Sequence, residues 1–167
     1  MDIQDNSEAV ASGRESWAPE LVRYTNLLKG RFGPDLVSVV HFGSWARGTA
    51  RPESDLDVLV VTRGLPPSRL ERHGVLHRVA QGVSEEFADT VAAIGLTAEE
   101  AERVRPFYLG MLSGHVLLWD PSGFFQRVLE RLQARLAELG ARRYVDEDGY
   151  EFWDLKPDWK PGDVVEL

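Results

Sequence analysis

HFGSWARGTARPESDLDVLVV, residues 41–61, is the stretch on which the reading of this chain turns. It joins two β-branched runs, Leu36–Phe42 (LVSVVHF) and Leu56–Val61 (LDVLVV), each apolar enough to be a strand buried on both faces. The first run delivers Gly43 and Ser44 to the start of a short helix, where backbone N–H groups have no intrahelical partners and face any anion brought to them. Glycine at 43 allows the turn and the close approach of a phosphate, the Ser44 hydroxyl adds a donor, and Arg47 follows about one helical turn later. Asp55 and Asp57 flank Leu56 at the start of the second strand, so both carboxylates leave one face about 6–7 Å apart while Leu56 enters the core. Two such charges repel unless a cation lies between them, and magnesium, which prefers carboxylates together with substrate phosphates, is the natural one. Singly, a Gly-Ser pair reads as a turn, paired aspartates as a solvated strand end and Arg47 as a surface arginine. In this order, before a strand too apolar for an exposed edge, they read as one site.

Outward from that stretch, Trp17, Leu21, Tyr24 and Leu28 recur at helical spacing until Gly30, Gly33 and Pro34 stop the pattern. The polar, aperiodic residues 1–15 are expected to form a flexible arm. Pro66 and Pro67 open a helix whose stripe is Leu76, Val79, Val83 and Phe87, and Ala88–Leu96 is expected as a third strand. Thr97 with Glu100 makes a capping box, residues 106–112 another helical turn or two, and His115–Trp119 (HVLLW) a fourth strand. Phe125, Val128, Leu129, Leu132, Leu136 and Leu139 form the strongest amphipathic helix, ended by Gly140. The tail alternates around Asp148–Gly149 and predicts a hairpin, so the domain proper is expected over 16–140 and a packed hairpin and tail over 141–167.

The chain has 167 residues, 19 basic and 27 acidic, for a net charge of −8. Its length and its 43% hydrophobic content suit one globular domain. The absence of cysteine excludes disulfides, thiolate zinc sites and a cysteine nucleophile, leaving oxygen and histidine as metal ligands. Asp2, Asp5, Glu8 and Glu15 interrupt the N-terminus, which has no apolar segment of a signal peptide, and no run approaches a membrane span, so a cytoplasmic location is expected. The acidic balance argues against sequence-independent binding of duplex nucleic acid but not against nucleotides, whose charge can be met locally.

The string G-S-x10-D-x-D, in its fuller form GSWARGTARPESDLDVLVV, resembles the nucleotidyltransferases of the DNA polymerase beta superfamily, and within it the minimal nucleotidyltransferase (MNT) group. The segment from HVLLWDPSGFF to YEFWDLKPDWKPGDVVEL is similar to the tails of small stand-alone prokaryotic members. The resemblance implies an α/β fold, a small, mixed, strongly twisted sheet of four or five strands with helices mainly on one face and a C-terminal hairpin. It implies transfer of a nucleoside monophosphate from a nucleoside triphosphate, ATP foremost, to an acceptor hydroxyl on protein, RNA or a small molecule. Gly43 and Ser44 would hold the triphosphate, which the Arg47 guanidinium one helical turn on could also reach by its spacing, and Asp55 and Asp57 would bind two metal ions, expected as magnesium. A third carboxylate on a neighbouring strand would complete the metal site, and Asp89, at the start of the expected third strand, fits best although TVAAIGL follows it. The alternative is a weakly catalytic, antitoxin-like nucleotide-binding module that partners a helical toxin of the HEPN type.

Other chemistries fail on particular residues. GSWARGT lacks the lysine of a P-loop, and a hydrolase elbow around Ser44 would need glycine where Phe42 and Ala46 stand. His73 and His77 share a helix face with no acid placed to finish a zinc site. Tyr150, Phe152, Trp153 and Trp159 are expected as a lid on the core rather than as a base-stacking surface, and Asp146–Asp148 as a solvated turn.

Overall fold

The computed structural model describes residues 6–167, with side chains from Trp17 onward. Its centre is a four-stranded mixed sheet in the order β3-β2-β1-β4. β1 (Leu36–Phe42) runs antiparallel to β2 (Leu56–Thr62), with Phe42 opposite Asp57, and antiparallel to β4 (Val116–Trp119). β3 (Val91–Leu96) lies parallel to β2, with Asp57 opposite Ala92. Alternate residues of the two apolar runs enter opposite layers, so each face needs a cover. Val39, Val58 and Val60 pack with Leu21, Tyr24 and Leu28 of α1 (Asn6–Phe32), Leu76 of α3 (Arg69–Gln81) and Phe87 of α4 (Glu85–Thr90). Val40, Leu59 and Val61 pack with Tyr108 and Met111 of α6 (Pro106–Met111) and with Phe125, Leu129 and Leu132 of α7 (Phe124–Glu138). The helices therefore cover both faces rather than mainly one. This correction follows from the central strands themselves, which have no polar face.

Helix α1 begins within the stretch expected as a flexible arm; residues 1–5 lie outside the described residues. Its buried stripe is as the spacing predicts, and the Tyr24 hydroxyl donates to the Leu76 carbonyl (3.3 Å). The helix expected to carry Leu76 through Phe87 is in fact two. The first ends at Gly82, and Ser84 then caps α4 by accepting from the Phe87 N–H. This second cap uses up residues 85–90 as helix and delays the third strand to Val91. The capping box closes on Thr97 and Glu100 at the start of α5 (Ala98–Ala101).

The C-terminal hairpin forms a separate two-stranded sheet, β5 (Arg142–Val145) with β6 (Glu151–Asp154). Asp146 accepts from the Asp148 and Tyr150 N–H groups and so sets its acidic turn. Period-two alternation splits the aromatics: Trp153 packs on the α6–α7 layer, whereas Tyr144 and Phe152 stack on each other facing outward. Tyr150, Phe152 and Trp159 are 68%, 52% and 55% exposed, so only Trp153 serves as the expected lid.

Candidate active site

Where β1 ends, Phe42 is extended and Gly43 turns with φ of +80° into α2 (Gly43–Arg47), a helix of five residues. The Phe42–Asp57 register brings this turn against the second strand. A Cβ on Gly43 would overlap the Asp57 carboxylate and lie 2.9 Å from its Cγ. Glycine is thus required twice, by the left-handed backbone and by the carboxylate touching it. Ser44 is half-buried and Arg47 exposed. The Arg47 stem lies along the α6–β4 connection, where a Cβ on Gly114 would come 2.9 Å from its Cγ, and its guanidinium passes near Gly110.

The loop from α2 to β2 is held by a residue that the sequence reading passed over. Trp45 is buried, and its Nε1–H donates to the Ser54 carbonyl (2.9 Å), while the Arg51 N–H donates to the Ser54 hydroxyl (2.9 Å). Ser54 immediately precedes Asp55, so Trp45 fixes where the aspartate pair enters the strand. The one sequence signal for this role was an isolated tryptophan inside a polar segment. Asp55 is exposed and Asp57 half-buried. Burial, and next the neighbouring charge of Asp55, push the Asp57 carboxyl above its ordinary value, against an opposing pull from Arg47. A carboxylate strained in this way by burial and a like charge gains from a hard cation, and the oxygen donors of Asp55 and Asp57 fit a divalent ion that also takes phosphate oxygens.

Gly43, Ser44, Arg47, Asp55 and Asp57 therefore lie at one end of β1 and β2, and Asp89 lies off the strands. It lies on α4, exposed, two residues before β3 begins, because the Ser84 cap extends helix to Thr90. Among the described residues no three histidine, aspartate or glutamate side chains gather as metal ligands. The residue beside Asp57 on the neighbouring strand is Ala92. Ile94 and Leu96 pack in the same layer as Leu59 and Val61, which puts Ala92 on the Asp57 face. His73 and His77 stack on α3 with ring centroids 6.0 Å apart. Among the described residues no helix is long and apolar enough to cross a membrane.

The pattern of the nucleotidyltransferase domain family matches residues 25–107. The chain is 30% identical over 139 residues, 82% of its length and 88% of the relative's, to a Methanocaldococcus jannaschii protein that bears a protein adenylyltransferase name. Its fold is similar to the crystal structure of a protein from Sulfolobus solfataricus named as a nucleotidyltransferase, with a TM-score of 0.50 and 24% identity over 72% of this chain and 94% of that one. A toxin–antitoxin structure with AMP-PNP is similar at a TM-score of 0.46 and 17% identity, over 71% of this chain and 92% of that one.

Proposed function

The chain belongs to the nucleotidyltransferase domain family, and on that premise we propose that it transfers AMP from ATP to a hydroxyl of a protein. The observation that supports this reading is the direct packing of the Gly43 turn on the Asp57 carboxylate, which puts a turn suited to an anion and a carboxylate suited to a cation side by side. In this reading the backbone at Gly43 and Ser44, with the Ser44 hydroxyl, receives the triphosphate, and Arg47 neutralises part of its charge. Asp55 and Asp57 would hold a magnesium ion, which would offset charge developing on the phosphate oxygens. The acceptor oxygen attacks the α-phosphorus, the bond to the bridging oxygen breaks, and pyrophosphate and the hydroxyl proton are released. What the chain contributes is position and field: a rigid turn on one strand end and two carboxylates on the next. The protein as acceptor rests on the relative's name.

A second reading, a nucleotide-binding module acting through a HEPN-type protein partner, is favoured by Ala92, which leaves the face beside Asp57 without a further carboxylate. One experiment separates them. The protein is incubated with magnesium and a cognate extract together with ATP labelled at either the α or the γ phosphate. Transfer from the α position, lost in the Asp55→Asn/Asp57→Asn variant, is the expected result. Label from the γ position, or none from the α position, overturns the reading that AMP is transferred from ATP.

A further inference from the structure

β3 is an outer strand of the sheet, paired only with β2, and a cavity of about 510 Å³ crosses its outer side. Ala93–Leu96 form the floor, the start of α3 one wall, and Glu100, Arg105, Pro106 and Phe107 the other. In a chain of net charge −8 this lining is basic: Arg69, Arg72, His73 and Arg105 face a single acid, Glu100. That acid is already matched. Arg72 is buried and spends its guanidinium on Glu100 and on the carbonyls of Pro66 and Gly95. Arg69 and Arg105 make no ion pair among the described residues, and the Arg105 Nε is buried without a hydrogen-bond partner. A buried guanidinium nitrogen without an acceptor is costly unless a ligand supplies one.

The groove also leads to the site. Its wall residue Phe107 stacks on Phe42 with centroids 5.5 Å apart, and Phe42 is opposite Asp57. The residue just before its floor, Ala92, lies beside Asp57.

We propose that this groove seats an acidic segment of the acceptor protein, with a glutamate or aspartate side chain on Arg105 and Arg69, so that a neighbouring hydroxyl reaches the Asp57 end of β3. The proposal rests on the transferase reading above and adds the class of acceptor. Charge complementarity selects the occupant. Two arginines without an ion pair, one of which also lends its charge to Glu100, suit a carboxylate side chain, which a guanidinium can grip in bidentate fashion, whereas a nucleic acid strand needs a longer track of cations than this groove holds. A cavity of this size takes a few side chains, not a domain.

The test uses the full chain and three fluorescent probes: a peptide of one tyrosine flanked by four glutamates on each side, its lysine counterpart, and a ten-nucleotide single-stranded RNA. Binding is read by anisotropy and acceptance by AMP incorporation. The glutamate peptide is expected to bind best, more weakly as salt rises, and about tenfold or more weakly in Arg69→Glu and in Arg69→Glu/Arg105→Gln. Affinity for ATP with magnesium should stay within about twofold, as neither arginine belongs to the Gly43–Asp57 surface, and this doubles as a check that the variants fold. Arg69 is exposed, so its variant stands even if the Arg105 change disturbs packing. Preference for the lysine peptide or the RNA, or unchanged glutamate-peptide binding in Arg69→Glu, overturns the proposal. Peptide binding needs no chemistry, so arginine-dependent binding without AMP incorporation keeps the groove and refutes transfer, while incorporation indifferent to the arginines does the reverse.

Discussion

Gly43→Ala isolates the contact on which the active-site reading depends. The added methyl must take φ near +80°, a left-handed conformation that costs a non-glycine residue about 1–2 kcal/mol. It must also displace the Asp57 carboxylate, whose Cγ would be 2.9 Å away where ordinary contact begins near 3.4 Å. Turning that side chain off its rotamer adds about 0.5–1.5 kcal/mol. The total, about 1.5–3.5 kcal/mol, predicts a melting temperature lower by about 3–14 °C for a domain of this size. In an Asp57→Ala background the carboxylate is gone, and the backbone cost and a milder 3.2 Å contact with the remaining Cβ are left, so the same glycine change should cost about 1 kcal/mol less. Urea or thermal unfolding of the four proteins in this cycle measures the coupling directly. Equal cost in both backgrounds would falsify the direct packing of Gly43 on Asp57. Calorimetry on the single variant should further show magnesium-dependent triphosphate binding lost while the fold persists.

Removing the Asp55 charge in Asp55→Asn should bring the Asp57 carboxyl back down toward its ordinary range, and Arg47→Ala should push it further up; a carboxyl-carbon NMR titration reads both, and no movement would mean the three groups do not share a field. Trp45→Phe keeps the ring in the core but leaves the Ser54 carbonyl without its donor; we expect a loss of about 1–2 kcal/mol and faster amide exchange over residues 49–55, against none if the loop is held otherwise. The Arg72 hydrogen bond, and then that from the Thr97 N–H, hold Glu100 below the ordinary glutamate value of 4.5. A lowered folded value means this stabilisation is complete above about pH 4.5 and is lost as pH falls through the folded value. Glu100→Gln should therefore flatten that acid limb of the stability curve, and an identical limb in the variant would assign it to other groups.

Where the candidate site residues fall was legible in the linear chain because local physics fixed the elements that carry them. Gly43 and Ser44 follow β1, Asp55 immediately precedes β2 and Asp57 lies in it, and the β-branched runs of both segments favour strands. The long α7 stripe and the Thr97–Glu100 box were likewise set within a few residues of sequence. What stayed hidden depended on partners distant in the chain. Whether α4 ends before or after Asp89 is a contest between the Ser84 cap, with Phe87 packed on Tyr24, and strand propensity, and which residue stands beside Asp57 is set by the β2–β3 register, which pairs it with Ala92. Helices on both faces and the outward turn of Tyr144 and Phe152 depend on which elements pack together, and the basic groove arises only when α3 and α6 are brought to the β3 edge. Periodicity assigns each side chain to a face of its own element. Which face meets which is decided only by burying all the apolar stripes at once.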